Sequence, residues 1–407
     1  MPKRHDRVVV VGGGIAGVST VSALRAGGYD GNLTLLDAGT FPYDRPPLSK
    51  EFLEGSKNLD QIALQPPGWY DDQSIDLRTE THVTAVLPTD GAVELQDGSL
   101  LHADRVVLAT GGRAARPPIP GSDDDRVHVV RTAADADRLR VQLKNGARVL
   151  IVGAGLIGAE VASTAIGFGC SVSIVDPVAV PLAGALGHET AHWLHSIHKQ
   201  RGIDTVTAGV ESIKSAATGL EVHLNDGSGS LIVDVVVLGV GMIPETGLAE
   251  QAGLHVDRGI VVDPGQVTSN PAVLAVGDPT RIRTAGALAG RTEHWDAAEQ
   301  SGRRAAATIL GVTPPPSVAP WFWTDRHGLH IEAVGSMSGA EQVIRRGERS
   351  PSGFSVFGMT GKHVVGAVAV NDAATVRAAR RMIDRAITVD PAHLADPSAD
   401  LRKLLRG

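Results

Sequence analysis

Gly12-x-Gly14-x-x-Gly17, with Asp37 standing 20 residues beyond the last glycine, is an arrangement able to hold a dinucleotide. Gly12 admits a tight turn, Gly14 lets a pyrophosphate approach the backbone, and Gly17, beside Ala16, lets a helix pack closely on a strand. Asp37 is placed to accept from a ribose hydroxyl. The pattern recurs as Gly153-x-Gly155-x-x-Gly158, with Ile157 inside it and Asp176 at the far end. A third chemical feature is "DRPPLSK", where Pro46 and Pro47 separate Arg45 from Lys50. Two prolines fix φ and remove two backbone donors, so this is a stiff corner with a cation on either side, not an interior strand.

The elements that position these residues are legible around them. Residues 7–37 read "RVVVVGGGIAGVSTVSALRAGGYDGNLTLLD": a buried valine strand, the glycine turn, a helix with Val18, Val21 and Leu24, and a second strand ending at Asp37. Residues 147–176 repeat strand, turn, helix, strand and acid. The helix N-terminus that each turn opens faces the phosphates with unpaired N–H groups. The two first glycines lie 141 residues apart, which suits two separate dinucleotide folds better than a repeat within one sheet. After Asp176 no Arg or Lys occurs before Lys199. A 2′-phosphate needs a cationic partner and is repelled by an acid, so the second site should prefer NAD(H) over NADP(H). The first site has the Arg45/Lys50 corner and no obvious place for an exchanging cofactor, and is assigned FAD.

Composition narrows the rest. A chain of 407 residues is long for one core, and two or three domains are expected. The net charge of −7 argues against a nucleic-acid binder. No apolar run approaches the ~18 residues of a membrane span. The basic residues ahead of the first valines superficially resemble a signal peptide. That apolar run is short, ends in glycines and lacks a cleavage site, so it reads as the first strand of a cytoplasmic protein. Cys170 is the single cysteine, which excludes an internal disulfide, a redox cysteine pair and a Cys-ligated cluster in this chain.

With "PYDRPPLSK", "LATGG" at 108–112, "LAVGD" at 274–278, "EHW" at 293–295 and "PWFWTD" at 320–325 following in order, the chain resembles the FAD-dependent NADH:ferredoxin reductases of oxygenase systems, the family of biphenyl and toluene dioxygenase reductases and putidaredoxin reductase. The C-terminal "LADPSADLRKL" resembles the ends of the Rieske dioxygenase reductases in particular. The likeness runs over essentially the whole chain. It implies an α/β fold with two Rossmann-like dinucleotide-binding domains, glutathione-reductase-like, plus a small α+β C-terminal domain. The expected division is 1–113 with 245–319 for FAD, 114–244 for NAD, and 320–407 for the third domain, reached through the Pro-rich "GVTPPPSVAP".

The resemblance also implies roles. Arg45 clamps the FAD phosphate and Lys50 lies near the flavin, where a cation stabilises the anionic reduced ring. Asp278 hydrogen-bonds the ribityl chain, and Glu293, His294 and Trp295 line the flavin edge. Val83 and Arg131 match FAD-contacting positions, and Ala109, Thr110 and Gly241 join the cofactor-binding set. Glu160 matches a glutamate that faces the nicotinamide and is expected to pair with Lys50, since either would be costly buried alone. Trp323 is the candidate for the electron exit. Hydride passes from NADH to FAD, and with no cysteine partner the electrons leave for a [2Fe–2S] ferredoxin, and indirectly a terminal oxygenase of Rieske or cytochrome P450 type. Lys50, Glu160 and Trp323 are thus the catalytic candidates of a monomer or weak homodimer.

Some features depart from that pattern or stand outside it. One of two acids near the FAD adenosine is missing in Leu36-Asp37-Ala38, and Gly184 stands near a common arginine position. Where relatives read "SDQYDLKLQ", this chain has "TDRHGLHIE", expected to alter the surface of the third domain. An acidic ferredoxin calls for a basic patch. Arg377, Arg381 and Arg385, with Arg380 adjacent, offer one helix face, and Arg345, Arg346 and Arg349 a second cluster; a solvated face is the plainer reading of either. His188, His192, His195 and His198 fall on one helix side without acidic or thiol partners there, and no metal is expected. Other readings remain open. A disulfide reductase would need a cysteine near position 42, where Phe41-Pro42-Tyr43 stands. A flavin-dependent NADH oxidase or monodehydroascorbate-type reductase, or a non-enzymatic redox-gated flavoprotein, would satisfy the same two turns.

Overall fold

The structure, a computed structural model, describes residues 6–406. Residues 1–5, which include Lys3 and Arg4 of the N-terminal run discussed above, lie outside the described residues. The chain forms two compact units: Met1–Arg45, Asn58–Arg113 and Met242–Ser317 make the first, and Pro46–Lys57, Ala114–Gly241 and Val318–Gly407 the second.

The first unit is built on a parallel sheet in the order Val273–Ala275, Arg105–Leu108, Arg7–Val11, Asn32–Leu36, Asp76–Arg78. Val8 to Val11 are all buried because both faces of this sheet are covered, which explains a continuous rather than alternating apolar run. On one face the helix Ile15–Ala26 packs against the helix Trp295–Leu310. Their backbones come so close at Gly302 that a Cβ there would lie 2.5 Å from the Ala16 carbonyl oxygen. The other face is covered by a three-stranded antiparallel meander beginning with Val83–Leu87, whose Val86, Val93 and Leu95 join Val9 and Val11 in one core.

The second unit repeats the scheme with the parallel order Asp204–Thr207, Ser171–Asp176, Arg148–Val152, Val235–Leu238, Val127–His128, and its own meander. It also contains an antiparallel five-stranded sheet, in the order Trp321–Arg326, Leu329–Gly335, His363–Val370, Phe354–Thr360, Gln342–Arg346. The amphipathic helix Ala373–Asp384 covers one face of it. The opposite face contributes Phe322, Ile331 and Val368 to a core shared with Leu194 and Ile197 of the helix His188–Gln200. That shared core is why residues 318–407 group with the nucleotide fold preceding them instead of forming a third compact unit. Cys170 is buried, its thiol pushed up by burial and donating to the Lys144 carbonyl at 3.4 Å.

Candidate cofactor and electron-transfer site

In the first unit, Gly12 has φ +116°, and a Cβ there would meet the Ala109 carbonyl oxygen at 2.2 Å. A Cβ on Gly17 would sit 1.9 Å from the Gly12 oxygen, so no other residue fits without moving backbone. Above Gly14 there is open space, and the helix it caps has no side-chain cap, leaving its first N–H groups pointing at that space. Asp37 accepts from the Gly39 amide through Oδ1 at 3.1 Å. An open cradle, an uncapped N-terminus and a terminal acid fit FAD, whose two-electron to one-electron chemistry the protein side chains lack.

The other residues expected around FAD in this unit are placed as follows. Val83 opens the meander and Ala16 is buried in the first helix. Ala109 is buried, and the Thr110 hydroxyl donates to the Glu245 carbonyl at 2.6 Å. Asp278 is half-buried directly after Gly277, whose amide is held by Ser301 Oγ at 2.8 Å. Trp295 Nε1 donates to Asp44 Oδ1 at 2.8 Å. His294 precedes the helix Trp295–Leu310; burial pulls its imidazole below the ordinary value against the opposing pull of Asp278, Glu293 and Asp296. Glu293 is exposed and its Oε1 accepts from Arg291 Nη2 at 2.8 Å. Arg45, last residue of the first segment, is exposed.

The second unit holds the other turn. Gly153 has φ +98°, a Cβ on Gly158 would lie 1.9 Å from its carbonyl oxygen, and Gly155 again faces open space over an uncapped helix, Leu156–Gly167. Asp176 closes the turn by accepting from Ala154 N at 2.8 Å and Val178 N at 2.7 Å. Ile157 is exposed on the first helical turn, and Gly241, with φ +104°, has nothing near its missing Cβ. Arg131 lies just ahead of the helix Ala133–Gln142, its amide donating to Asp135 at 3.2 Å. Arg131 apart, these residues fit NAD(H) on the same grounds as the first turn fits FAD.

Glu160 lies two residues beyond Gly158, buried in the helix that the turn opens. Its Oε2 accepts from the Ser49 hydroxyl at 2.5 Å. Its Oε1 accepts from Lys50 Nζ at 3.3 Å, Thr324 Oγ1 at 2.8 Å and the Asp325 amide at 3.2 Å. Lys50 is 8% exposed; it follows the one-turn helix Pro46–Ser49 that the prolines preset, and also lies 3.6 Å from Asp325 Oδ2. Its ammonium stands 6.0 Å over the Trp323 ring, which in turn stacks on Trp321 with centroids 5.0 Å apart at 26°. The expected pairing of Lys50 with Glu160 is thus present, and strand alternation puts both tryptophans on one face.

Ser49, Thr324 and Asp325 were not singled out from the sequence, although "LSK" holds Ser49 beside Lys50 and "WTD" holds Thr324 and Asp325 after Trp323. The altered "TDRHGLHIE" segment is corrected more sharply. Arg326 and Glu332 are each only 5% exposed, so these departures reach the interior and not only the surface. Residues alternate across the strand, and Arg326 faces inward beside Glu160, with burial pushing its guanidinium down to about 10 against that carboxylate's pull.

The second arginine cluster is also largely structural. Arg346 donates to the carbonyls of Asp396, Pro397 and Ala399, and Arg349 pairs with Glu189 at 2.7 Å, leaving Arg345 exposed. Arg377, Arg381 and Arg385 are exposed and Arg380 half-buried. Among the histidines, His188 and His192 are exposed, while His198 is buried with Nδ1 2.9 Å from His327 Nε2.

Comparison with known proteins follows these lines. Residues 6–302 match the family described as pyridine nucleotide-disulphide oxidoreductase, and 321–405 that described as reductase C-terminal. The chain is 37% identical to the anthranilate 1,2-dioxygenase system ferredoxin–NAD(+) reductase component of Burkholderia cepacia, covering 98% of this chain and 99% of the relative. It is 35% identical to putidaredoxin reductase of Pseudomonas putida over 98% and 97%. In a solved covalent complex of putidaredoxin reductase with putidaredoxin, one chain superposes with a TM-score of 0.92 at 34% identity, covering 99% of both. Among the described residues no helix is long and apolar enough to cross a membrane.

Proposed function

The chain belongs to the pyridine nucleotide-disulphide oxidoreductase family and carries its reductase C-terminal domain, and from that premise we propose an FAD-dependent NADH:ferredoxin reductase. Its electrons go to a [2Fe–2S] ferredoxin serving a Rieske-type oxygenase or a cytochrome P450. The observation that carries this reading is Cys170: the only cysteine is buried and its thiol held up by that burial. No dithiol can take the electron pair inside the chain, so an external carrier must.

In this reading FAD, when bound, accepts hydride from NADH and gives up electrons one at a time. The protein's own residues bind, orient and exclude water. Gly12, Gly14, Ala16, Gly17, Asp37, Arg45, Val83, Ala109, Thr110, Arg131, Asp278, Glu293, His294 and Trp295 hold FAD. Gly153, Gly155, Ile157, Gly158, Asp176 and Gly241 hold NADH. Lys50 is oriented by Glu160 on the flavin side, and Trp323 lies on the exit side. The expected division at 1–113 with 245–319, 114–244 and 320–407 is proposed as the functional one. The protein acts in the cytoplasm as a monomer or weak homodimer, away from nucleic acid and membrane.

Anaerobic steady-state reduction of a panel of [2Fe–2S] ferredoxins by NADH tests the proposal. Rapid reduction of at least one is expected. In a parallel aerobic assay, fast NADH-driven oxygen consumption with no carrier reduced would point instead to an oxidase, and a flavin that NADH fails to reduce anaerobically would point to a binding module. Reversing Arg377, Arg380 and Arg381 to Glu should raise the apparent KM for ferredoxin severalfold, since at a Debye length of ~8 Å nearby charges outweigh the net −7.

A further inference from the structure

Six side chains of the second unit form a closed circuit. Lys50 Nζ lies 3.6 Å from Asp325 Oδ2, and Asp325 Oδ1 lies 2.6 Å from His330 Nδ1. His330 Nε2 lies 3.2 Å from Glu332 Oε1, while Glu332 Oε2 accepts from Trp321 Nε1 at 2.7 Å. Trp321 stacks on Trp323, and Trp323 returns under the Lys50 ammonium.

A neutral imidazole has one N–H and one lone pair. Set between two carboxylates it can satisfy only one; the other oxygen would meet a lone pair. Donation on both sides at once needs the imidazolium, with charge-assisted bonds to each acid. Glu332, 5% exposed, has little access to water with which to replace that donor.

We propose that His330 is a positioning residue: doubly protonated between Asp325 and Glu332, it holds the Trp321–Trp323 stack and the Lys50 ammonium in one register. The inference rests on the reductase reading only for the roles of Lys50 and Trp323. The groups facing the ring are Asp325 and Glu332 directly, with Lys50 and Glu160 beyond Asp325. The strand His363–Val370 pairs alongside with Val370 and Ala369 opposite Ile331 and Glu332, and Asn371 binds the His330 amide at 2.9 Å. Among the described residues of that strand only His363, at its far end, is titratable. Burial alone would lower the His330 value, but the bond and charge of Asp325, then Glu332, outweigh it and raise it. With side chains 42% and 39% exposed, His330 and Asp325 form a carboxylate–imidazole pair that solvent can reach.

Histidine-labelled holoenzyme titrated by NMR tests this, the His330 signals being assigned by their loss in His330→Gln. Both ring nitrogens should be protonated at pH 7, with a midpoint above the ordinary value of about 6.5. The near-ultraviolet circular dichroism of the tryptophan stack should change with the same midpoint, and Trp321→Phe should abolish that change. His330→Lys, a fixed cation with three donors, should hold the low-pH signal throughout. A His330 midpoint at or below 6.5, a tryptophan signal indifferent to it, or a transition surviving in His330→Lys would each overturn the proposal. If His330→Gln does not fold, matching the wild-type histidine midpoints to the tryptophan transition decides. Neither readout involves a carrier or turnover, so failure here is distinct from failure of the reductase reading.

Discussion

The helices opened by the two glycine turns share a scaffold and differ in what they carry two residues past the third glycine. In the first the residue is Ser19, half-buried and ordinary; in the second it is Glu160, buried with four donors converging on it. The terminal acids diverge as well. Asp176 ties two amides, one within the glycine turn itself, whereas Asp37 ties one beyond it. In the proposed reading the turns hold what all dinucleotides share, and the flanking carboxylates supply the difference. A backbone trap for pyrophosphate can therefore be duplicated and then specialised without touching its glycines.

The sharpest way to break the contrast is to remove the two side chains. Glu160→Ala leaves Lys50 buried without its main counter-charge and orphans the Ser49 and Thr324 hydroxyls, a loss of about 3–5 kcal/mol. Ser19→Ala should stay within ~0.5 kcal/mol. Denaturant unfolding midpoints compare them, and equal effects would show that the Glu160 cluster is not specialised. Gly17→Ala and Gly158→Ala test the shared half of the comparison. Each forces a Cβ to within 1.9 Å of a carbonyl oxygen, and overpacking of this kind costs about 1–3 kcal/mol. Gly17→Ala should purify with depleted flavin, while Gly158→Ala should keep flavin and raise the KM for NADH.

Coenzyme choice sharpens the contrast between the acids. Asp176→Ala should narrow the kcat/KM preference for NADH over NADPH by roughly tenfold, about 1.4 kcal/mol, by removing repulsion of a 2′-phosphate. Asp37→Ala should leave that ratio alone. The last expected effect is on pH. Burial and then the Arg326 charge push His198 down to about 2 and His327 to about 4. Their folded values lie below the unfolded ~6.5, so their contribution to stability is complete above that pH and is lost as pH falls toward about 4 for His327 and about 2 for His198. His330 runs the other way: raised, it stabilises below ~6.5 and loses its contribution as pH rises through its folded value. Thermal unfolding of wild type and His327→Phe across pH 4–7 should show a shallower acid loss in the variant.

What the sequence made legible was local. Both turns, their strands and their acids follow from residues within ~30 positions of one another, where spacing dictates geometry. The Pro46-Pro47 corner was readable for the same reason. The Glu160 cluster was only half visible, because Ser49, Lys50, Glu160 and Thr324 come from three chain segments that only folding brings together. The apparent arginine cluster at 345–349 misled in the opposite sense. Proximity in sequence suggested a shared surface, but Arg346 turns to the carbonyls of 396–399 and Arg349 to Glu189. Arg326 shows the same limit, since a charged residue beside a turn reads as solvent-facing until the inward side of its strand is known.

Cys170 has a practical consequence. Buried, its sulfur held against a backbone carbonyl and its thiolate disfavoured, it should react slowly with maleimides and other alkylating reagents. To such reagents the folded protein behaves as though it had no cysteine. One cysteine placed on the exposed arginine face of the helix Ala373–Asp384, for instance at Arg381, could carry a dye or spin label at a single defined position with the native sequence otherwise intact.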